Sequence, residues 1–233
     1  MVSIIIPIRR GEDISKTIAS INASTHKNYE IVVIDEGLER SRQRNIGIER
    51  AKGEYLLILD SDHCISPGLI AECVVYMKIY CISGIYIPEI IKTKGLFAYI
   101  RNWERQFYNA TPIDVVRFVR AKDCPKFNED MSGPEDSDWE RRIKGVKTIS
   151  ISPLYHYDNV SIIDFFRKKA YYTKSMKRFA ERNPNDKILN WKWRCFGVFL
   201  EKGKWRRFLS RPDLALAVLT LIAIRGIIYL WKR

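Results

Sequence analysis

Short apolar runs alternate with segments of helical periodicity through the N-terminal part of the chain. The runs Val2–Ile6, Glu30–Ile34 and Tyr55–Leu59 each end at a proline or at a cluster of polar residues, which is typical of a buried strand followed by a loop. Between them, Asp13–Asn22 and Glu39–Ala51 have the pattern of helices. Strands that alternate with helices pair in parallel through right-handed crossovers. The pattern therefore predicts an α/β fold with a Rossmann-like, mainly parallel sheet flanked by helices.

The middle of the chain continues this alternation, and the C-terminal part changes character. The expected elements of the middle part are a helix from Pro67 to about Lys78, a strand over Ile82–Ile87, a helix over Leu96–Tyr108, an extended segment over Val115–Val119, a helix from Gly133 through Ile143 and a last strand over Lys147–Ile151. Beyond them, Ser161–Arg182 is predicted to be a basic helix with interleaved aromatic residues. Leu214–Trp231 is a mostly apolar run of 18 residues, close to the ~20 that span a bilayer.

Positive charge is concentrated in the C-terminal third of the chain. From Tyr157 onward there are 18 Lys and Arg against 6 Asp and Glu, whereas residues 1–156 have 22 against 21. Four of the six tryptophans lie in the same basic region. Such an asymmetry points to an anionic partner surface. We therefore predict one α/β domain over 1–156 and a basic, amphipathic helical region over 157–233.

Acidic residues directly follow two of the predicted strands. Asp35 comes after the second strand, and Asp60 and Asp62 come after the third. Loops at the carboxyl ends of strands gather at the switch point of strand order and form the ligand crevice, so these carboxylates are predicted neighbours. Hard oxygen ligands suit Mg²⁺ or Mn²⁺. A metal ion held by Asp60 and Asp62 would neutralise a diphosphate leaving group.

Six sequence blocks resemble, in order and spacing, the family 2 glycosyltransferases of the GT-A fold. The blocks are Val2–Pro7, Val32–Gly37, Arg44–Gly47, Gly53–Tyr55, Leu59–Asp62 and Ser132–Asp138. The resemblance implies a nucleotide-diphospho-sugar transferase fold over 1–156, with a donor part over about 1–90 and an acceptor part over about 91–156. Two departures from the commoner pattern, at Arg9-Arg10 and Glu36-Gly37, leave the nucleobase of the donor open.

The resemblance also implies the reaction. In an inverting transfer, an acceptor hydroxyl attacks the anomeric carbon of the sugar opposite the nucleotide diphosphate. Asp136 matches the position of the general base, which takes the proton of the acceptor, and Glu135 would orient or support it. The alternative is that both residues only complement the dipole of a helix N-terminus.

The remaining site residues are carried over from the same resemblance. Donor contacts fall on Pro7, Ile8, Asp35, Arg44, Asp60 and Ser61, and metal ligands on Asp60, Asp62 and His156. The expected donor is a UDP- or GDP-sugar, and the expected cofactor is Mn²⁺ or Mg²⁺. The alternatives are a turn role for Asp35, a solvated helix face for Arg44 and a structural role for His156.

The basic C-terminal region predicts contact with an anionic membrane surface. Its apolar segment, about 214–231, would lie on or span the membrane at the cytoplasmic face of the cell. Arg225 near the middle of this segment opposes spanning, because arginine costs about 2.5–3.5 kcal/mol in hydrocarbon. Packing of the segment as a core or oligomer helix is the alternative. The five cysteines show no paired spacing, which indicates reduced thiols in a cytosolic environment.

A membrane location would make a lipid-linked acceptor, such as a polyprenyl phosphate, the natural substrate. A hypothesis of a different class is a catalytically inert, basic protein that binds membrane or nucleic acid through residues 157–233. That hypothesis leaves the acidic series of Asp35, Asp60–Asp62 and Glu135–Asp136 unexplained. Nucleic acid is therefore not the expected partner.

Overall fold

Residues 1–92, 94–157 and 161–231 are described by a computed structural model. The strands are β1 (Val2–Pro7), β2 (Tyr29–Ile34), β3 (Tyr55–Ile58), β4 (His63–Ile65), β5 (Ile82–Tyr86), β6 (Glu89–Ile91), β7 (Val116–Arg120), β8 (Val146–Ile149) and β9 (Leu154–His156). The α-helices are α1 (Ser15–Asn22), α2 (Arg40–Arg50), α3 (Leu69–Ile79), α4 (Leu96–Arg105), α5 (Glu135–Arg142), α6 (Ile162–Tyr172), α7 (Met176–Arg182), α8 (Val198–Leu200), α9 (Trp205–Leu209) and α10 (Pro212–Trp231).

A six-stranded sheet in the order β2-β1-β3-β7-β5-β8 forms the centre of the fold. Strand β1 pairs in parallel with β2 and β3, and β5 pairs in parallel with β8. Strand β7 is antiparallel to both of its neighbours. Every residue of β1 and β3 is buried, as expected for strands that are covered on both faces. The predicted α/β fold with a mainly parallel sheet is confirmed.

Hydrophobic clusters lie on opposite faces of this sheet. Ile4 and Ile6 pack with residues of α1 and α3, whereas Ile5 packs with residues of α2 and α5, because successive side chains of a strand point to opposite faces. Gly47 allows α2 to approach β1 closely, since a β-carbon at this position would lie 2.3 Å from Cγ2 of Ile5. The two clusters fix the strands in place, and the polar loops begin at the ends of these strands.

A second, smaller sheet in the order β4-β9-β6 was not expected from the sequence. Strand β9 is antiparallel to β4 and parallel to β6. Each of these strands has three residues, which is too short for a recognisable period. The prediction that Lys147–Ile151 is the last strand is wrong, because β8 is followed by β9.

The C-terminal region packs against α4 and the turn that follows it. Trp103, Phe107 and Tyr108 form one hydrophobic cluster with residues of α8, α9 and α10. The division at residue 156 stays a prediction, although residues from both sides share this cluster. The helix predicted over Ser161–Arg182 is interrupted by a 3₁₀ turn, Thr173–Ser175, that separates α6 from α7.

Helix α10 covers the predicted apolar segment. Leu214 and Val218 on its inner face are buried in the cluster with α4. Arg225 also points inward and pairs with Glu104, which is 0% exposed. Across the described ranges, no helix is both long and apolar enough to cross a bilayer.

Candidate functional site

A cleft of about 1370 Å³ opens at the carboxyl ends of β1, β2 and β3. The predicted site residues that line it are Pro7, Ile8, Asp35, Asp60, Ser61, Asp62, Glu135 and His156. Arg44 and Asp136 instead line a smaller cavity of about 20 Å³, which shares Asp60 with the cleft. The strand order therefore brings together residues from distant parts of the chain, such as Pro7 and His156.

Arg44 is almost completely buried and joins two of the cleft carboxylates. Its Nη2 donates to Oδ1 of Asp60 (2.9 Å), and its Nη1 donates to Oε1 of Glu135 (3.2 Å). The guanidinium also lies over the ring of Phe127, 5.1 Å from the ring centre. Such a planar fork fixes the orientation of its partners. Arg44 therefore positions Asp60 and Glu135, and the alternative of a solvated helix face is wrong.

The turn between β3 and β4 presents two carboxylates in different environments. Oδ2 of Asp60 lies 3.5 Å from Nη1 of Arg117, so that each of its oxygens faces a guanidinium. Although burial opposes ionisation, Arg44 and the other nearby cations hold the pKa of Asp60 well below its usual range. Asp62 is the more open carboxylate, with 41% of its side chain exposed.

Two histidines lie next to Asp62. The register of β4 and β9 sets His63 opposite His156, with ring centres 4.7 Å apart. Nε2 of His156 lies 3.0 Å from Oδ2 of Asp62, and its Nδ1 lies 2.8 Å from Oε1 of Glu89. Although burial favours the neutral ring, these two carboxylates raise the pKa of His156 to about 9. Burial and the charge of Arg117 lower the pKa of His63 to about 4.

Asp62, His63 and His156 fit a divalent cation. Each side chain offers one ligand atom, and these atoms lie within 4.8 Å of one another. Two imidazoles with a carboxylate suit Mn²⁺ better than Mg²⁺, which prefers oxygen ligands and retained water. Because metal ligands must be deprotonated, binding would release the proton of His156. Asp60, which the sequence also suggested as a ligand, is not in this group.

Behind His156, a network of charged side chains holds its ring in place. Oε2 of Glu89 lies 2.9 Å from Nη2 of Arg105 and 3.5 Å from Nη2 of Arg117. A carboxylate bound to the far nitrogen of a metal-binding histidine fixes its orientation and raises its basicity. Glu89 therefore has the position of an outer partner of the candidate metal site.

The acidic N-terminus of α5 directs two carboxylates into different cavities. Glu135 lines the cleft with 12% of its side chain exposed. Burial and the charge of Asp136 raise the pKa of Glu135 to about 6. Asp136 lines the smaller cavity, and its Oδ1 accepts from the N–H of Ser137 (2.8 Å). A carboxyl group with a raised pKa beside a second carboxylate is typical of acid–base sites, so this pair is a candidate for proton transfer.

Helix α6 also lines the cleft. Its contributing side chains are Phe165, Arg167, Lys168, Lys169, Tyr171 and Tyr172. Tyr172 packs closely on Gly133, where a β-carbon would lie 2.7 Å from the ring. The basic helix that was predicted to contact a membrane surface thus brings cations to the cleft.

Several site residues were missed from the sequence. Of these, His63 could have been found from the sequence, because it directly follows the Asp60–Asp62 turn. A histidine beside paired carboxylates is a common metal ligand. Glu89 and Arg117 lie in or next to short strands and have no motif around them. Their role depends on pairing between distant segments.

A family model described as glycosyl transferase family 2 matches residues 36–114, about a third of the chain. The matched range contains Arg44 and the Asp60–Asp62 turn and ends before Glu135. Together with the structural neighbours, this match confirms the resemblance drawn from the sequence blocks. A search of curated proteins gave no significant match.

Solved structures share the fold at low sequence identity. The chain is similar to S. aureus TarS in complex with UDP (TM-score 0.52, 16% identity, 74% of this chain and 64% of that chain) and with UDP-GlcNAc (0.52, 14%, 74% and 65%). It is also similar to the Pyrobaculum calidifontis mannosyltransferase PcManGT in complex with GDP-Man and Mn²⁺ (0.60, 13%, 100% and 87%). The chain spans less than two thirds of these TarS chains. The fold is the predicted GT-A fold.

Proposed function

We propose that this chain is a family 2 type glycosyltransferase that transfers a hexose from a nucleotide-diphosphate donor, with inversion and with a divalent metal ion. The acceptor is a hydroxyl or a lipid phosphate. The observation that carries the proposal is the meeting of Asp62, His63 and His156 beside the predicted donor residues in one cleft. The family match over residues 36–114 supports the same reaction class.

The nucleoside of the donor would lie at the ends of β1 and β2. Pro7, Ile8 and Asp35 line this part of the cleft. Nε2 of Gln43 donates to the backbone oxygen of Ile8 (2.8 Å), which stiffens the loop that would face the base. Because the similar structures contain UDP, UDP-GlcNAc and GDP-Man, UDP- and GDP-sugars are the donors to test first.

The diphosphate would lie at Asp62, His63 and His156. A metal ion bound there would neutralise the negative charge that develops on the leaving diphosphate. Neighbouring residues of the chain hold the side chains of this site in fixed orientations. Glu89 orients His156 from behind, and Arg44 holds Asp60 and Glu135 at the floor of the cleft.

The acceptor would approach from the side of α5. In our proposal Asp136 accepts the proton of the attacking hydroxyl, and Glu135 supports it from the cleft wall. Both carboxylates lie at the N-terminus of α5, next to the positive end of the helix dipole. An acceptor phosphate, already ionised, would not require this proton transfer.

A donor panel tests the proposal directly. A ligand that binds only the native state raises its stability, by about 2.7 kcal/mol at a hundred times Kd. We expect the melting temperature to rise with one nucleotide class, UDP-, GDP- or dTDP-sugars, and only when Mn²⁺ is present. If no nucleotide sugar shifts the melting temperature with or without metal, the inert basic protein becomes the better hypothesis.

Asp62→Ala is expected to remove the metal dependence of donor binding. Removing a residue that only supports a metal ligand lowers the affinity for the metal about 10–100-fold. Because Asp62 is proposed to bind the metal directly, we expect Asp62→Ala to lower the Mn²⁺ affinity by more than this. Calorimetric titration with Mn²⁺ alone measures it. Asp123→Ala, an exposed aspartate outside the cleft, is the matched control. Equal Mn²⁺ affinity of the two variants would rule out the proposed metal site.

We also propose that the chain associates with the cytoplasmic face of the cell membrane through α10. One face of this helix carries residues spaced by three or four positions, which are all exposed: Leu216, Thr220, Ala223, Ile224 and Ile227. Between Leu216 and Ile227 this face bears no charge, whereas Asp213 at the start of the helix and Arg206 and Arg207 on the preceding helix are exposed. An apolar stripe flanked by cations suits the interface of an anionic membrane.

The double substitution Leu216→Asp and Ile227→Asp is expected to release the chain from anionic vesicles. Two charges on the stripe would have to enter the membrane interface, which is unfavourable. Co-sedimentation with vesicles of phosphatidylglycerol and phosphatidylcholine measures the effect. Ile151→Asp, at an exposed apolar residue of the loop after β8, should sediment as the unmodified chain does. Retention of the double variant on the vesicles would contradict the proposed membrane contact.

A further inference from the structure

Three cations surround one aromatic ring where α4, α6 and α10 meet. The charged groups of Arg101, Lys169 and Arg225 lie 4.5, 5.4 and 5.8 Å from the ring centre of Phe165. Phe165 itself is buried, and each of the cations comes from a different helix. Cation–π attraction explains the individual contacts. It does not explain why three like charges converge on one ring.

In the described part of the chain, the carboxylate that pairs with this cluster is that of Glu104, and it pairs with two of the three cations. Glu104 accepts from Arg101 (2.6 Å) and from Arg225. Lys169 has aromatic contacts but no hydrogen bond or ion pair to any residue in the described part of the chain. Burial, with the charges of Arg101 and Arg225, lowers the pKa of Lys169 to about 7, and Arg194 contributes further positive charge. An anion bound here would relieve this repulsion.

The cluster is connected to the candidate metal site through α4. Arg101 and Arg105 are four residues apart on α4 and are therefore neighbours on its surface. Arg105 donates to Glu89 (2.9 Å), which in turn binds Nδ1 of His156 (2.8 Å). Arg101 and Lys169 line the same cleft as His156. An anion held by the cluster would thus lie in the cleft that also takes the transferred sugar.

The cleft has room for two ligands. Its volume is about 1370 Å³, whereas a pocket for one drug-sized ligand measures about 300–1,000 Å³. A nucleotide sugar at the ends of β1, β2 and β3 would fill only part of it. The end between α4 and α6 stays available for a second substrate.

We propose that Arg101 and Lys169, with Arg225 behind them, form a subsite that binds a phosphate group of the acceptor. This inference rests on the proposed function, because a transferase needs a second substrate beside its donor. A phosphate dianion matches the excess positive charge, and a guanidinium with an ammonium is a usual protein environment for phosphate. The phosphate belongs either to a lipid or to a water-soluble molecule.

Calorimetric titration of the full chain with farnesyl phosphate, farnesol and inorganic phosphate tests the subsite. We expect farnesyl phosphate to bind and Lys169→Gln to weaken it about tenfold, the effect of one charge-assisted hydrogen bond. Lys169→Arg should retain most of the affinity. Lys177→Gln, at an exposed lysine of α7 outside the cleft, is the matched control and should bind as the unmodified chain does.

The other two probes identify the source of the phosphate. If inorganic phosphate binds with the same dependence on Lys169, the subsite takes the phosphate group alone, as for a soluble acceptor. If only farnesyl phosphate binds, the lipid contributes and a lipid phosphate is the acceptor. The subsite is ruled out if Lys169→Gln and Lys177→Gln bind farnesyl phosphate equally, or if farnesol binds as well as farnesyl phosphate does.

Donor binding is measured separately on the same variants. Lys169→Gln should keep the Mn²⁺-dependent rise in melting temperature with the active nucleotide sugar, because Lys169 lies outside the proposed donor contacts. Loss of the subsite with intact donor binding would leave the glycosyltransferase proposal standing. Phosphate binding without any donor binding would reject the glycosyltransferase proposal instead.

Discussion

Asp136→Asn is expected to reduce sugar transfer to a hydroxyl acceptor by about 10²–10⁴-fold, the usual contribution of a general base. The amide keeps the size of the side chain but does not accept the proton. Donor binding should be unchanged, because Asp136 is not among the residues proposed to contact the donor. The measurement is the initial rate of transfer at saturating donor, beside the donor-induced rise in melting temperature.

Glu135→Gln is the matched comparison, because the two carboxylates are adjacent and only Glu135 lines the cleft. We expect a smaller loss of rate from this change, since Glu135 is proposed as a support. A large loss from Glu135→Gln with little effect of Asp136→Asn would assign the base to Glu135, whose pKa of about 6 lies in a range that suits proton transfer near neutral pH. Full transfer by both variants would reject a carboxylate base at the start of α5.

Arg225→Leu is expected to lower the free energy of unfolding by about 2–4 kcal/mol. Breaking a buried ion pair by removing one partner costs about 3–5 kcal/mol, and the remaining bond from Arg101 to Glu104 (2.6 Å) reduces that cost. These partners keep the buried carboxyl of Glu104 ionised. Although burial opposes its ionisation, Arg225 and Arg101 lower the pKa of Glu104 to about 2. Urea unfolding followed by tryptophan fluorescence measures the change.

Arg211→Leu provides the control for this experiment. Arg211 also pairs with an aspartate, Asp213, but both side chains are about half exposed, and exposed pairs contribute about 0–1 kcal/mol. The double variant Glu104→Met and Arg225→Met should cost less than the two single changes together, because replacing a buried pair by apolar residues removes the uncompensated charge. An Arg225→Leu variant as stable as Arg211→Leu would mean that α10 does not pack on α4 in solution.

The packing of α10 changes the interpretation of the C-terminal segment. As a linear sequence, Leu214–Trp231 resembles a marginal membrane span with a costly arginine near its middle. In the folded chain this arginine has a buried carboxylate partner, and the inner face of the helix covers Trp103 and Phe107. Only the outer face is available to a membrane. Deleting the whole segment would therefore expose part of the core, so substitutions on the outer face are the cleaner test.

The sequence alone was sufficient to predict the strands of the central sheet and the edge of the sheet at which the cleft lies. Strands such as Tyr55–Ile58 are marked by continuous apolar residues, and their ends are marked by residues such as Asp60 that favour turns. These signals are local, and strands alternating with helices leave few possible topologies. The loops that follow β1, β2 and β3 were therefore predicted to meet at one edge of the sheet.

Only the tertiary structure decided which side chains meet there. The pairing of β4 with β9 sets His63 beside His156, and the docking of α6 and α10 brings Lys169 and Arg225 to Arg101. Strands of three residues carry no periodic signal, and the attraction between distant charges depends on burial and on exact separation. The sequence thus determined the fold and the types of residue at the carboxyl edge of the sheet. The contacts between distant segments determined which charged side chains pair with one another.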